Sequence, residues 1–235
     1  MMAVKPLCEV CPVRLQGVFS DLTKDEQKFL TKAKTCNAYR KRSVIFYEGN
    51  PSMGLFCVNS GKVKIFKNGV EGQVQIVRLA KPGDLLGYRA LLANEPYAAP
   101  AEVLEDATIC FMDRTTVFQL LQRNATLSLR ILRSVCQDLR TAEERTLDLI
   151  QKPVAQRVAA LLLALQASFG ENAKQGVRLN IALTREEMAE MVGTTAETLI
   201  RTLSDFKTRG LVELEPHAVF VRKPHELARL LPADS

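Results

Sequence analysis

The sequence is poor in histidine and has no stretch long enough to cross a membrane. Its 235 residues include two histidines, His217 and His225, and both lie close to the C-terminal end. A histidine ligand for a metal or haem is therefore excluded from the N-terminal half. No apolar run reaches the roughly 20 residues of a membrane span. The opening MMAVKPLCEV also lacks the apolar core of a signal peptide. These absences predict a cytoplasmic protein with no membrane partner.

The signatures of an enzyme are missing as well. The chain contains no His/Asp constellation, no phosphate-binding loop and no dinucleotide fingerprint. Hydrophobic residues make up 47% and charged residues 25% of the sequence, which is ordinary for a globular protein. The length allows one large domain or two small ones. We therefore expect a globular protein that is not an enzyme.

The stretch from Leu183 to Leu214 predicts two helices joined by a tight turn. Thr184 and Glu187 are three residues apart, which is the spacing of a capping box at a helix start. Small and apolar residues follow at helical spacing, namely Met188, Ala189, Met191 and Val192. Gly193 then provides the sharp turn, because glycine adopts conformations that a Cβ would strain.

A second helix follows this turn. Thr194 or Thr195 can cap it, and Glu197 is placed for a second capping box. Its apolar stripe consists of Leu199, Leu203 and Phe206. Gly210 ends it. The pattern is typical of a helix-turn-helix, whose second helix enters the major groove of DNA.

Glu197 and Arg201 are the residues predicted to read bases. They lie four positions apart, so they share one side of the helix near its N-terminus. Arginine can form two hydrogen bonds to guanine, and a carboxylate can accept one from the cytosine amino group. The alternative interpretation is an ordinary solvent-exposed ion pair. The full set of candidate DNA contacts is Thr195, Ala196, Glu197, Thr198, Arg201, Arg185, Lys207 and Arg209.

The overall charge of the chain gives little support to DNA binding. The chain carries a net charge of +6, but the part from Gln151 onward has eleven Lys/Arg and ten Asp/Glu. The C-terminal part is therefore nearly neutral. DNA binding must depend on where individual basic side chains lie and not on a basic domain.

The N-terminal half predicts one short helix followed by strands. Ser20 to Ala33 has an apolar side and caps at Ser20 or Thr23. From Ala38, β-rich runs alternate with turn residues, as in GLFCVNSG, KVKIFKNG and ATICFMD. Glycines are expected at these turns, namely Gly49, Gly61, Gly69, Gly83 and Gly87. Short strands in this order predict an antiparallel barrel or jelly roll.

Residues 115–150 contain no glycine or proline and predict one long helix. Leu127, Ile131 and Val135 form a stripe that can pack on the chain's own barrel. A second stripe with three- and four-residue spacing predicts a two-fold dimer interface. That interface consists of Leu132, Cys136, Leu139, Glu143, Thr146 and Ile150.

The domain junction is expected at Gln151-Lys152-Pro153, with Pro153 opening a new core helix. ENAKQGVRLN is expected to be a loop that leads into a short strand. LVEL, the turn Glu215-Pro216-His217, and VFV predict a two-stranded wing, and LARLL a closing helix. Arg222 and Lys223 of the wing are candidates for contact with the DNA backbone.

The segment GTTAETLIRTL resembles the recognition helix of the CRP/FNR family of bacterial transcription regulators (the cyclic-AMP receptor protein and the fumarate–nitrate regulator). The Ser60-Gly61 turn and the GDLLG motif at Gly83 to Gly87 resemble that family's sensor barrel. The resemblance implies a homodimer that reads a palindromic TGA-containing site, with RNA polymerase as a further partner. Ala196, where the cyclic-AMP receptor protein has a third base-contacting arginine, is nearer to the fumarate–nitrate regulator.

The resemblance implies an α+β fold in four parts. Residues 1–18 form a cysteine-containing segment, and residues 19–114 a cyclic-nucleotide-binding-like jelly-roll sensor barrel. Residues 115–150 form the dimerisation helix, and residues 151–235 the winged helix-turn-helix. An effector or a redox signal at the barrel would control activity, and the loop from Ser168 to Arg178 would meet the polymerase.

Three effectors are considered. A cyclic nucleotide is not expected, because the positions that match the cyclic-AMP ligands are Tyr88, Ala98 and Ala99, and the alanines offer no donor to a phosphate. Haem is not expected either, since Cys11-Pro12 is weak evidence for a thiolate ligand.

An iron–sulfur cluster is the remaining candidate, and the cofactor is left unassigned. Six cysteines in a cytosolic chain favour thiols or a metal over disulfides. Cys8, Cys11 and Cys110 match three of the four cluster ligands of the fumarate–nitrate regulator. Gly17 occupies the position of the other ligand, so Cys36 or a different group would have to replace it. Cys57 and Cys136 are interpreted as core residues.

Two other functions are considered. One is a small-molecule or redox-sensing module of this fold that does not act through DNA, for which Glu197 and Arg201 would be dispensable. The other is a redox enzyme that uses Cys8 and Cys11, which no other motif supports. The effector, the operator, the regulated genes and the choice between activation and repression are not predicted.

Overall fold

The computed structural model describes residues 6–69, 73–216 and 218–232. The chain forms two compact units, and the boundary between them lies between Arg140 and Thr141. Within the described ranges, no helix has the length and apolarity that a membrane span requires.

The first unit begins with two short 3₁₀ turns, Cys8–Val10 and Pro12–Gln16. Its helices are α1 (Lys24–Ala33), α2 (Tyr88–Ala93), α3 (Arg114–Arg123) and the first part of α4 (Ala125–Gln151). Its strands are β1 (Thr35–Tyr39), β2 (Val44–Phe46), β3 (Gly54–Asn68), β4 (Val74–Ala80), β5 (Leu85–Leu86) and β6 (Ala101–Asp113). The predicted first helix is confirmed, and Thr23 caps it in a capping box with Glu26.

The six strands form one antiparallel sheet in which β6 is central. β6 pairs with β1, β2 and β3, and β3 pairs in turn with β4 and β5. Successive side chains along β3 and β6 point to opposite faces of the sheet, so they pack in two different cores. Val58, Val63 and Ile109 belong to the core inside the rolled sheet. Leu55 and Met112 belong to the core between the sheet and the helices.

β3 is a single strand where the sequence predicts two. Its pairing with β6 shifts register between Val58 and Ser60 and again between Ser60 and Lys62. Gly61 lies in this irregular part with a φ of +82°, and a Cβ there would be 2.6 Å from the Cβ of Ala107. The predicted Ser-Gly turn is therefore a bulge within one long strand.

The long helix predicted over residues 115–150 is wrong as one continuous element, because Asn124 separates α3 from α4. The Asn124 Oδ1 accepts a hydrogen bond from the backbone N of Leu127 at 2.9 Å and so caps α4. Its Nδ2 donates to Glu26 at 3.1 Å. Asparagine is a common helix cap, but the partner on α1 is distant in sequence.

The second unit contains the helices α5 (Val154–Phe169), α6 (Arg185–Val192), α7 (Ala196–Thr208) and α8 (Pro224–Ala228). Its strands are β7 (Gly170–Ala173), β8 (Gly176–Leu179), β9 (Val212–Glu215) and β10 (Ala218–Val221), in the sheet order β7-β8-β10-β9. The predicted wing corresponds to β9 and β10, while His217 of its turn lies outside the described residues. The predicted loop ENAKQGVRLN is instead the β7–β8 hairpin, which β10 extends into a sheet.

The core of this unit is the apolar helix α5, as the sequence predicts, but α5 also carries a charged clamp. The guanidinium of Arg157 donates to four backbone carbonyls. Two of them, Leu149 (3.3 Å) and Lys152 (2.9 Å), lie at the end of α4. The other two, Val192 (2.8 Å) and Gly193 (3.2 Å), lie at the end of α6.

A cation suits this position, because the carbonyls at a helix C-terminus carry partial negative charge and lack intrahelical partners. Arg157 thus holds the end of α4 within the second unit. The second unit accordingly includes the C-terminal part of α4, from Thr141 onward.

Arg157→Ala should lower the free energy of unfolding by about 1–3 kcal/mol, since several carbonyls lose a charged donor. Urea unfolding of the full chain, followed by far-UV circular dichroism, measures the change. Arg178→Ala is the matched control, because Arg178 is exposed and should change stability by less than about 0.5 kcal/mol. Equal stability of the two variants would contradict the clamp.

Candidate nucleic-acid interface and sensor site

The first helix of the predicted helix-turn-helix begins as the sequence indicates. The Thr184 Oγ1 accepts from the backbone N of Glu187 at 3.1 Å, and the backbone N of Thr184 donates to Glu187 Oε2 at 2.9 Å. α6 ends at Gly193, whose φ of +63° is left-handed. A Cβ at Gly193 would lie 2.7 Å from Leu149 Cδ2. The left-handed backbone conformation therefore requires glycine in the turn, whereas the exposed Leu149 side chain has room to move aside.

The start of α7 differs from the prediction in one useful respect. Thr195 is the N-cap, and its Oγ1 accepts from the backbone N of Thr198 at 3.2 Å. The third helical position is therefore Thr198 and not Glu197, so the predicted second capping box is wrong. Because Glu197 is one position too early to reach back to the cap, its carboxylate is left available.

The apolar stripe of α7 fixes which side of the helix faces outward. Leu199, Leu203 and Phe206 are at most 1% exposed. Glu197 and Arg201 lie on the opposite side and are exposed. Neither side chain forms a hydrogen bond or an ion pair with another part of the described chain. Two complementary groups therefore stand on the outer side of α7 without partners.

Ile200 is a residue that the sequence analysis missed. It lies between these two groups in sequence, and it is 48% exposed although it is aliphatic. An exposed aliphatic side chain beside them could contact the methyl group of thymine. The signal was present in the sequence, since Ile200 falls outside the stripe of Leu199, Leu203 and Phe206.

The flanking basic residues are less available than predicted. Lys207 forms an ion pair with Glu213 at 2.9 Å, and Arg209 pairs with Asp205 at 3.3 Å. The hydrogen bond from Lys207 holds the pKa of Glu213 below its usual value. Arg185 is half-buried with its Nη1 3.5 Å from the sulfur of Met188, and desolvation lowers its pKa.

The wing residues are also paired. Arg222 lies 3.7 Å from the second carboxylate oxygen of Glu213, and Lys223 lies 3.0 Å from Glu226. These exposed ion pairs are weak and can exchange a carboxylate for a phosphate. The near neutrality of the domain therefore also holds locally, because these basic side chains are paired with carboxylates.

The predicted dimer seam lies on exposed positions of α4. Leu127 and Ile131 are 3% exposed and pack in the helix-side core of the first unit, as predicted. By contrast, Leu132 is 56%, Leu139 60% and Ile150 77% exposed. Cys136, Glu143 and Thr146 are exposed as well. The prediction of Cys136 as a core residue is therefore wrong.

The cysteines are arranged differently from the expectation. Cys110 forms a disulfide with Cys36, which lies directly opposite it across β1 and β6. The preference for thiols or a metal over disulfides is therefore wrong for this pair, because register brings the two residues together. Among the described residues, no group of three or more His, Cys, Asp or Glu side chains is arranged to hold a metal ion.

Cys8 and Cys11 remain free thiols beside the same sheet. Cys8 is buried in the helix-side core that also contacts Cys57, and Asn59 Nδ2 donates to Cys11 Sγ at 3.4 Å. Burial raises the pKa of the Cys57 thiol to about 12. The Cys57 side chain is half-buried, and its thiol is neutral because of the raised pKa.

Gly17 occupies the position expected for a further ligand, and packing explains the glycine. A Cβ at residue 17 would lie 2.5 Å from the carbonyl oxygen of Gly83. The N-terminal segment therefore approaches the GDLLG turn too closely for any larger residue.

Tyr88 matches a residue that holds cyclic AMP in the cyclic-AMP receptor protein, and here it forms hydrogen bonds within the chain. Tyr88 hydrogen-bonds to Asp138, and Arg78 donates to Tyr88 at 3.0 Å and to Asp138 at 3.1 Å. Burial raises the pKa of Tyr88 to about 12, so its phenol is neutral. Tyr88 and Arg78 line a cavity of about 300 Å³, together with Gly17, Gly83, Arg130 and Arg133.

Known proteins resemble the chain in both units. A cyclic nucleotide-binding domain family matches residues 36–124, and a Crp-like helix-turn-helix domain family matches residues 156–230. The chain is 30% identical over 213 residues to the CRP-like cAMP-activated global transcriptional regulator of Mycobacterium tuberculosis, which covers 91% of this chain and 95% of that protein.

Two further proteins extend the comparison. The transcriptional activator protein anr of Pseudomonas aeruginosa is 25% identical, over 95% of this chain and 91% of that protein. The structure of FixK2 from Bradyrhizobium japonicum superposes with a TM-score of 0.77 at 24% identity, over 86% of this chain and 99% of that chain.

The β domain and the Crp-like helix-turn-helix define a DNA-binding transcription regulator and not an enzyme. The chain belongs to the CRP/FNR family.

Gly17→Ala should destabilise the protein by about 1–3 kcal/mol, because the new methyl group would overlap the Gly83 backbone. Urea unfolding followed by far-UV circular dichroism measures the loss. Gln16→Ala is the control, since Gln16 is exposed and should change little. A variant as stable as the wild type would show that the segment can move away from the turn.

Proposed function

We propose that this protein is a homodimeric regulator that reads a palindromic, TGA-containing DNA site through α7, under the control of an effector or redox signal at the β domain. One observation carries the DNA part. Glu197 and Arg201 are exposed on the N-terminal half of α7, and neither has a partner in the described chain.

Each group on α7 has a chemical counterpart in the major groove. The carboxylate of Glu197 can accept a hydrogen bond from a cytosine amino group, and Arg201 can donate two to a guanine. Ile200 can pack against a thymine methyl group. A G·C pair beside a thymine fits the TGA core that the family resemblance implies.

Dimerisation is supported by the exposed leucines of α4. Leu132, Leu139 and Ile150 are exposed and lie seven and eleven positions apart, which places them on one side of the helix. Such a helix is stabilised by a second apolar helix. A two-fold dimer presents two copies of α7 to half-sites one helical turn apart, which is about 34 Å. A palindromic operator follows from that symmetry.

The nature of the signal is the least constrained part of the proposal. The Mycobacterium tuberculosis relative is named as cAMP-activated. In this chain Tyr88 is bonded to Asp138 and Arg78, and Ala98 and Ala99 supply no side-chain donors, so we do not propose a cyclic nucleotide. Free and disulfide-bonded cysteines at one sheet favour a thiol-based signal, and an iron–sulfur cluster stays a prediction.

Two further parts rest on analogy with the family. The β7–β8 hairpin, which contains most of the segment from Ser168 to Arg178, is exposed over much of its length and is the proposed contact with RNA polymerase. We assign the protein to the cytoplasm, where it would have access to DNA.

Arg201→Ala should weaken binding to a TGA palindrome by about 1–3 kcal/mol for each half-site, because the fork of hydrogen bonds to guanine is lost. Gel-shift titration against the palindrome and a scrambled duplex measures the loss. Arg178→Ala is the control, since Arg178 is exposed on β8 and away from α7 in sequence. Equal binding by wild type and Arg201→Ala would refute base reading by this residue.

Leu139→Glu should shift the protein from dimer to monomer, because it introduces two like charges where apolar side chains would meet. Analytical ultracentrifugation gives the molecular mass directly. Thr141→Glu is the matched control, since Thr141 is exposed on the same helix but lies off the proposed seam. Monomerisation by both variants, or by neither, would argue against this seam.

A further inference from the structure

Three adjacent strands place three cysteines in one row. Cys36 of β1 lies opposite Cys110 of β6, and Cys57 of β3 lies opposite the same Cys110 from the other side. Residues directly opposite each other in antiparallel strands project to the same face of the sheet. Cys110 is therefore the middle sulfur of the row, with a cysteine on either side.

The spacing of strands limits which sulfurs can pair. Opposite residues of antiparallel strands have Cα atoms about 4.5 or 5.5 Å apart, which is within the range of disulfides. The Cα atoms of Cys36 and Cys110 are 4.0 Å apart, and these two residues are bonded. Cys36 and Cys57 are two strands apart, about 9.5 Å, which is beyond the roughly 7 Å limit for a disulfide. Either outer cysteine can pair with Cys110, but they cannot pair with each other.

The row lies on the face that the N-terminal segment covers. Leu55 and Met112, which neighbour Cys57 and Cys110 on this face, belong to the helix-side core, and so does buried Cys8. Cys110 is buried, whereas Cys36 and Cys57 are half-buried, so small thiols and disulfides have access to the outer cysteines. Both possible partners of Cys110 belong to the same sheet, so exchange between them is intramolecular.

We propose that Cys110 is the shared sulfur of a thiol–disulfide exchange site, in which Cys57 displaces Cys36 from Cys110. The neutral Cys57 thiol must first lose its proton; its sulfur then attacks Cys110 Sγ, the Cys36–Cys110 bond breaks and a Cys57–Cys110 bond forms. Cys57 gives up one proton, and the departing Cys36 thiolate takes up one. The step involves no net oxidation or reduction, so it needs no co-reactant.

The arrangement suits this displacement. β1 and β3 flank β6 on opposite sides, so the two cysteines that can pair with Cys110 lie on opposite sides of it. The exchange would move the cross-link of β6 from β1 to β3, which is the strand that contacts the N-terminal segment through Asn59 and Cys11. The role of this exchange as a redox signal of the β domain rests on the proposed function. The disulfide pairing itself is tested without DNA, so the two can fail independently.

Disulfide mapping of the full chain tests the proposal. The protein is quenched with acid and denatured, and its free thiols are alkylated. Disulfide-linked peptides are then identified by mass spectrometry without reduction. In the wild type we expect the Cys36–Cys110 peptide and four alkylated cysteines, Cys8, Cys11, Cys57 and Cys136.

The variants separate the pairings. Cys36→Ser, oxidised with glutathione disulfide, should gain a Cys57–Cys110 peptide. Cys57→Ser should keep Cys36–Cys110 and gain no new link. Cys110→Ser should contain no Cys36–Cys57 peptide. A folded Cys36→Ser protein in which Cys57 and Cys110 stay unlinked to each other would overturn the proposal.

A second measurement covers the case in which Cys36→Ser does not fold, which far-UV circular dichroism detects. Wild-type protein is incubated with a trace of dithiothreitol, quenched with acid and mapped over time. A minor Cys57–Cys110 peptide should appear in the wild type and be lost in Cys57→Ser. Its absence at every time point, with Cys36–Cys110 intact or reduced, would overturn the proposal.

Discussion

The proposed DNA-reading surface depends on the burial of three side chains of α7. Leu199, Leu203 and Phe206 are almost fully buried, and each contributes roughly 1.5–3 kcal/mol relative to exposure. Rotating α7 by one residue, about 100°, would bring them into water. The hydrophobic core therefore fixes the rotation of the helix. Glu197 and Arg201 face outward as a consequence of that packing and not of any contact of their own.

Local hydrogen bonds and ion pairs determine which charged side chains on and near α7 remain unpaired. The N-cap at Thr195 is satisfied by Thr198, which leaves the Glu197 carboxylate unused. Lys207 and Arg209, by contrast, are neutralised by Glu213 and Asp205. Two of the predicted DNA contacts are therefore already paired within the chain. A protein built this way would rely on a small number of directed contacts to bases more than on general attraction to phosphates.

The β domain depends on the central position of β6. This strand joins β1, β2 and β3, so its two faces contribute to both cores and its cysteine meets one on each side. The same packing that brings Gly17 against Gly83 removes the place of a further N-terminal ligand. Family membership fixes the architecture of this domain. The proposed signal depends on a few individual side chains of this domain, among them Tyr88, Ala98 and Ala99.

The sequence by itself determined the features that neighbouring residues control. These include the caps at Thr23 and Thr184, the turn at Gly193, the buried stripe of α7, the strand-rich N-terminal half and the exposed seam of α4. Each follows from helix or strand periodicity and from side-chain hydrogen bonds that span three or four residues. The residues proposed to read DNA were therefore identifiable, except Ile200.

Only the tertiary structure decided the features that join residues far apart in the chain. The partner of Cys110, the need for glycine at position 17, the break at Asn124 and the clamp by Arg157 each depend on an element distant in sequence. The hairpin of β7 and β8 depends likewise on pairing with β10. No local pattern encodes such a neighbour, because strand register and helix packing are set by the burial of the whole core.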